Sequence, residues 1–326
     1  MNRDKPVALV TAPLRGPDLD RLRQLADVVL DPWIDQVPLR VWGPDQLVTR
    51  IDEVGARILV CEADFCSGPV FERDLLVIGS TRGDPTNVDL EGATAAGIPV
   101  LRAPGRNADA VAEMTVALLF AVNRNLRAGD RDMRTGQVFG DTIPYQRFRT
   151  WQLAGRTAGL VGLGAVGRAT KWRLEGLGMH VLATDPYADD ATSSLDELLA
   201  GSDVVSMHAP ASPETFGLMS AAQFEAMRDG AIYLNTARAG LHDTDALVTA
   251  LAAGKLAGAG LDHVEGEVLP DDHPLLSFDN VVLTPHIGGA TYDVEVNQTT
   301  MMVNGIEAVL AGERPPNLAN PEVYDR

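Results

Sequence analysis

Cysteine is nearly absent from this sequence: Cys61 and Cys66 are the only two in 326 residues. They sit close together in a strand-plus-loop pattern, which does not suggest a disulfide framework. No C-x-x-C spacing offers a metal site, so no metal is expected and a reducing cytoplasm fits. Positive charge is in deficit, with 27 Lys and Arg against 45 Asp and Glu, for a net charge of −18. Such a chain is repelled by phosphate backbones and anionic lipid, which argues against nucleic acid or membrane as a partner. A small anionic molecule is not excluded, because a local basic pocket can override the mean field. Long apolar runs are missing too. The longest, residues 110–122, is interrupted by Glu113 and falls short of the roughly 20 residues that span a bilayer. The N-terminus reads as a soluble first strand and not as a signal peptide, since its apolar run is short and no small-residue cleavage site follows. There is no internal repeat and no low-complexity tract.

What the sequence does contain is alternation. Short β-branched runs lie at 7–11, 58–61, 75–80, 98–103, 158–162, 180–185, 203–208, 231–236, 257–262 and 281–285. Helix-like segments such as 191–201, 220–228 and 243–253 lie between them. This rhythm predicts an α/β protein with parallel sheets made of βαβ units. Strands that are apolar almost throughout predict cover on both faces. The length predicts two domains, and two sheets with a cleft between them account for the strands better than one wide sheet. Residues 1 to about 103 read as one unit with about four strands. A single long helix is expected over 108–136, with Asn107 as N-cap and Gly136 as stop. Residues 137–157 read as irregular, a second α/β unit runs from about 158 to 290, and the tail is helical over 293–313 and then extended.

The strongest motif is LVGLGAVGR, residues 160–168, with G-x-G-x-x-G at Gly162, Gly164 and Gly167. It follows a strand and opens a helix, and Asp185 ends the next strand about 20 residues on, which is the context a dinucleotide fingerprint requires. Gly162 permits the tight turn, Gly164 lets a pyrophosphate approach the backbone, and Gly167 lets helix pack on strand. The helix N-terminus offers free N–H groups to the phosphates. A carboxylate at Asp185 suits the ribose hydroxyls and repels a 2′-phosphate, favouring NAD over NADP.

Ligands of open α/β sheets sit beyond the strand C-termini. Polar stretches fall at those ends: 207–215, 234–240, 261–267, 284–289 and, in the first unit, 80–89. Hydride transfer to a 2-keto acid needs a guanidinium to grip the carboxylate. It needs an acid to protonate the carbonyl oxygen and a carboxylate to orient that acid. Arg238, His286 and either Glu267 or Asp262 match this inventory. Among six histidines, His180 begins a strand, and His242, His263 and His273 lie in loops and read as solvent-exposed. His208 and His286 both end strands on the ligand side and remain candidates. The glycines after His286 leave room for a substrate and favour it.

Taken together, LVGLGAVGR, TDPY, DVVSMHAPASPET, NTARAGL, LDHVEGE and TPHIGGAT occur in the order and spacing of a known family. The chain, from about residue 50 to 323, resembles the D-isomer-specific 2-hydroxyacid dehydrogenases, in their phosphoglycerate dehydrogenase-like branch. The resemblance implies two Rossmann-like or flavodoxin-like domains. The NAD domain, 104–290, would be inserted in a discontinuous substrate domain, 1–103 plus 291–326, and the domains would close about hinges near 104 and 290. It implies a homodimer formed through the NAD domains. It assigns Arg238, Glu267 and His286 to catalysis. To NAD it assigns Gly162, Gly164, Ala165, Val166, Gly167, Asp185 and Pro186. His208, Ala209, Pro210, Thr215, Thr236, Ala237, Asp262, Gly288 and Gly289 join that cofactor set. To the substrate it assigns Arg82, Gly83, Asp84 and Asn107. Related formate dehydrogenases carry an amide where Glu267 stands, so Glu267 implies hydroxyl/keto chemistry. The usual G-V-G-x-D-N-x-D loop reads RGDPTNVD here, adding Arg82, and the Arg-Ser-x-Thr of phosphoglycerate dehydrogenases is replaced by EADFC at 62–66. Arg82, Arg102 and Arg106 are the cations available for a second anionic group, such as a phosphate, phosphonate or carboxylate, or for pairing with the chain's own acids. Competing readings are a non-catalytic NAD(H)-sensing protein, since one relative is a transcriptional corepressor, and a phosphite or formate-type dehydrogenase.

Overall fold

The computed structural model describes residues 5–325. In chain order the elements are β1 (Val7–Val10), α1 (Pro17–Leu25), β2 (Asp27–Leu30), α2 (Pro44–Val54), β3 (Ala56–Cys61), β4 (Val77–Ser80), α3 (Leu90–Ala95) and β5 (Val100–Leu101). Next come α4 (Ala108–Asn123), α5 (Leu126–Thr135), α6 (Pro144–Arg147), β6 (Thr157–Val161), α7 (Ala165–Gly176), β7 (His180–Thr184), α8 (Leu195–Gly201) and β8 (Val204–Met207). The chain finishes with α9 (Ala221–Ala226), β9 (Ala231–Asn235), α10 (Thr244–Ala252), β10 (Leu256–Leu261), β11 (Val281–Leu283) and α11 (Tyr292–Leu310). Two compact units result: one runs to Arg106 and resumes at Thr291, and the other is Asn107–Ala290.

The first unit holds a parallel sheet of order β2-β1-β3-β4-β5. Successive strand residues point to opposite faces, and the cores show it. Leu9, Leu59 and Ile78 pack with Leu47, Val48 and Ile51 of α2. Ala8, Val10, Ile58, Val60 and Val77 pack on the other face with Met302, Val303 and Ile306 of α11. The sheet has five strands, not about four. The one missed, β2, is an edge strand with no buried residue, so DVVL carries no core signature. After α11 the chain returns to the same unit. The Asn320 side chain donates to the Ile98 carbonyl (3.0 Å) and accepts from the Val100 amide (2.8 Å).

The second unit holds a six-stranded parallel sheet of order β11-β10-β9-β8-β6-β7. One face buries Leu160, Ile232 and Leu234 against Leu118, Leu119 and Val122 of α4. The other buries Val205, Met207, Tyr233 and Leu261 against Leu247 and Leu251 of α10. The expected single helix over 108–136 is instead broken between α4 and α5. Asn125 stands there at φ 52, a left-handed conformation that asparagine tolerates better than most residues. Gly136 ends α5 in the same conformation, φ 71. Asn107 occupies the N-cap position of α4 but its side chain caps nothing. Among the described residues, no helix is long and apolar enough to cross a membrane.

Candidate active site

Because every strand of the second sheet is parallel, all its strand C-termini lie at one edge. The order reverses between β6 and β8, and such a switch point is where open α/β sheets bind ligands. The glycine turn sits there. Gly162 has φ +101, and a Cβ on it would lie 2.5 Å from the Ala209 amide nitrogen; one on Gly167 would lie 2.2 Å from the Gly162 carbonyl. The turn is therefore closed to side chains on its protein side. On Gly164 an added Cβ would meet nothing within 4 Å. The amides of Gly164, Ala165, Val166 and Gly167 meet no acceptor among the described residues. Four free N–H groups at the start of α7, beneath open space, fit a pyrophosphate.

Asp185 follows β7. It accepts from the Leu163 amide (2.7 Å) and the Tyr187 amide (2.8 Å), so it braces the glycine turn as well as offering its remaining lone pairs. Pro186 and Pro210 are exposed beside it in sequence and in the next loop, and Ala209 is buried under the turn. His208 bonds Ser206 (3.0 Å) and is pushed down to about 4 by burial, so its ring is neutral. Two predicted cofactor residues have their hydroxyls committed elsewhere. Thr215 donates to the Pro210 carbonyl (2.6 Å), and Thr236, buried, shares a bond with Thr115 of α4 (2.8 Å).

Three adjacent strands carry the candidate chemistry. Arg238 follows β9, Glu267 follows β10 and His286 follows β11. His286 Nδ1 and Glu267 Oε1 are 3.0 Å apart. Both residues have positive φ, 54 and 63, and Asn125 is the only other non-glycine residue among those described that does. Left-handed backbone at two bonded, chemically active side chains is local strain of the kind that gathers at functional sites. The exposed Arg238 has no carboxylate partner among the described residues; its guanidinium donates only to the Ala237 carbonyl (2.6 Å). Ala237 is half-buried, its amide held by Asn235.

Asp262 is what shapes the histidine loop. Buried at the end of β10, it accepts from the Thr284 hydroxyl (2.5 Å), the Ile287 amide (3.0 Å) and the Gly288 amide (2.8 Å). A Cβ on Gly288 would lie 2.7 Å from that carboxylate, so this glycine permits the loop's close approach to Asp262. Gly289 lies against the Asn107 side chain, which brings Asn107 to the same loop.

The sequence reading is corrected at two histidines. His242 and His263, expected in solvent, are 7% and 4% exposed. His242 packs edge-on to Tyr233 and bonds Asn235. The His263 ring lies 3.8 Å from that of His286, centroid to centroid, with its Nδ1 3.9 Å from Glu267 Oε1. Burial, with the nearby His286 and Arg238 charges, pushes His263 down to about 4.

In the first unit, Arg82, Gly83 and Asp84 follow β4. Arg82 donates to the Glu62 carbonyl (2.7 Å) and the Thr86 hydroxyl (3.0 Å), and no carboxylate pairs with it among the described residues. The Gly83 and Asp84 amides likewise meet no acceptor there. Arg106, by contrast, is paired with Glu62 and Gln298. Arg102 is exposed.

A parallel sheet with a glycine turn at its switch point, and an imidazole–carboxylate pair beyond its far strands, define a dinucleotide-dependent α/β oxidoreductase. Comparison with known proteins narrows the class. A family model described as D-isomer specific 2-hydroxyacid dehydrogenase, NAD binding domain, matches residues 116–288. A glyoxylate reductase of Thermofilum pendens is 38% identical over 98% of this chain and 96% of its own length. A D-3-phosphoglycerate dehydrogenase of Archaeoglobus fulgidus is 38% identical over 76% of this chain, which spans about half (48%) of that enzyme. A structure from Polaromonas, a putative D-isomer specific 2-hydroxyacid dehydrogenase, superposes with a TM-score of 0.83 at 28% identity, over 97% of this chain and 99% of that one. The chain belongs to the D-isomer specific 2-hydroxyacid dehydrogenase family. It is an NAD-dependent oxidoreductase acting on 2-hydroxy acids.

Proposed function

We propose that the substrate is a small 2-keto or 2-hydroxy acid bearing a second anionic group, of the phosphorylated, phosphonylated or sugar-acid kind. The observation that carries this is Arg82: an arginine with no carboxylate partner among the described residues, beside two backbone amides that meet no acceptor there, in a chain with a large excess of acids. Arg106 is spent on Glu62, so the charge it would offer an anion is already balanced.

In the reducing direction, Arg238 holds the substrate carboxylate, its guanidinium in a bidentate fork. Bound NADH supplies the hydride. His286 gives its proton to the carbonyl oxygen as charge develops there, and Glu267, 3.0 Å from Nδ1, holds the ring in register. Asp262 fixes the loop on which His286 stands. The first unit serves as the substrate domain and the second as the NAD domain. We assign the functional form as a cytoplasmic homodimer. The exposed Leu126, Met133, Phe139, Ile143, Tyr145 and Trp151, clustered in sequence on the second unit, supply apolar surface for such an interface.

The test is NADH oxidation against a panel of 2-keto acids with one and two anionic groups, for wild type and Arg82→Ala. The expected result is preference for a doubly anionic acid and a rise in KM, in the variant, confined to that class. Equal losses on all acids would sink the second-anion role. No turnover with any acid, despite tight NADH binding, would favour a sensor.

A further inference from the structure

We propose that His263, Glu267 and His286 form a binding site for a divalent transition-metal ion of the zinc class, and that the ion, once bound, blocks the proton relay. One ligand atom from each residue lies within 4.8 Å of the other two. The two imidazoles turn Nδ1 toward the same carboxylate oxygen, at 3.0 Å from His286 and 3.9 Å from His263. Tetrahedral zinc, with ligands at about 2.0–2.1 Å, sets neighbouring ligand atoms roughly 3.3 Å apart. The two observed distances bracket that spacing and the third pair lies within 4.8 Å, so side-chain shifts of at most about 1.5 Å bring all three ligand atoms to it.

Two imidazoles and a carboxylate form a donor set that suits zinc or its neighbours and not magnesium or calcium, which prefer all-oxygen shells. His263 is buried while Glu267 and His286 remain 56% and 46% exposed at the side chain. The site thus has one fixed wall and an open side for the ion to enter and for a water to complete the shell.

Binding and catalysis exclude one another here. Coordination through His286 Nδ1 requires its proton to leave for solvent, and the metal then takes the place of the Glu267–His286 hydrogen bond. The binding claim stands on geometry alone. Only the inhibitory claim rests on the proton role proposed above.

Calorimetric titration of zinc chloride into the untagged protein decides the first claim. Wild type should show one site of micromolar affinity or tighter. His263→Val should weaken it at least tenfold while NADH binding, followed by fluorescence, confirms that the variant is folded. Glu267→Gln should weaken zinc binding likewise. Zinc bound as tightly by His263→Val as by wild type would overturn the site. For the second claim, micromolar zinc should stop keto-acid reduction, a chelator should restore it, and His263→Val should need at least tenfold more zinc for half-inhibition. Equal potency against both proteins would overturn it. If no keto acid is turned over at all, the catalytic reading fails and the calorimetric comparison alone judges the site.

Discussion

Holding a non-glycine side chain in left-handed backbone costs about 1–2 kcal/mol, and this molecule accepts that cost at both Glu267 and His286. His286→Gly should therefore be more stable than His286→Ala by about 1 kcal/mol in urea melts, the reverse of the usual order at a helical or extended position. Activity should not follow stability. Both variants, and Glu267→Gln, should lose roughly 10²- to 10⁴-fold in kcat with NADH affinity almost unchanged; a parallel loss of NADH binding would place these residues in the cofactor site instead. A second consequence concerns acid. Burial holds His242 at about 4, against 6.5 for a free histidine, so the unfolded chain takes up that proton first. Its contribution to stability is complete above about pH 6.5, declines as pH falls toward 4 and changes no further below. The slope is at most about 1.4 kcal/mol per pH unit. Urea melts at pH 7 and pH 5 should show a smaller difference for His242→Gln than for wild type. The placement of Arg238, Glu267 and His286 beyond the C-termini of β9, β10 and β11 was legible in the sequence, because each lies in a polar stretch that follows an apolar strand. His263 was not. Its loop doubles back through two left-handed residues, Gly266 and Glu267, and nothing in HVEGEV announces that the histidine turns inward.

At the scale of the element, the glycine turn separates two kinds of glycine. Gly162→Ala forces a Cβ against the Ala209 backbone at an unfavourable φ and should cost both stability and NADH binding. Gly164→Ala meets no protein atom within 4 Å, so the melting temperature should stay put while the Kd for NADH rises by an order of magnitude or more. If both variants melt like wild type, the turn does not pack as described. Asp185→Ala should narrow the preference for NAD over NADP and, by leaving the Leu163 amide without its acceptor, weaken both cofactors; an unchanged ratio would remove its ribose role. Ten of the eleven strands announce themselves in the sequence because buried parallel strands are apolar on both faces. Strand β2 does not, since it is short, begins with a charged Asp27 and buries none of its four residues. The break at Asn125 was equally hidden, because helical periodicity continues on both sides of one left-handed residue.

Across the whole molecule, the decisive fact is the order of the chain. The second unit draws its core entirely from its own stretch, 107–290. The first does not: Met302, Val303 and Ile306 of α11 fill one face of its sheet, and Asn320 ties its last strand. A fragment of residues 107–290 should melt cooperatively on its own. A fragment ending at 106 should not, and should recover a cooperative transition when 291–326 is rejoined through a short linker; cooperative melting of the shorter piece would refute this. The consequence reaches into synthesis. A ribosome makes the strands of the first unit before the inserted unit and their covering helix after it, so an unsealed sheet, with Val10, Ile58 and Val60 uncovered, must wait while the inserted unit folds ahead of it. The nascent chain is then most exposed to proteases and chaperones over the strands of the first unit, and that exposure ends only when α11 clears the exit tunnel.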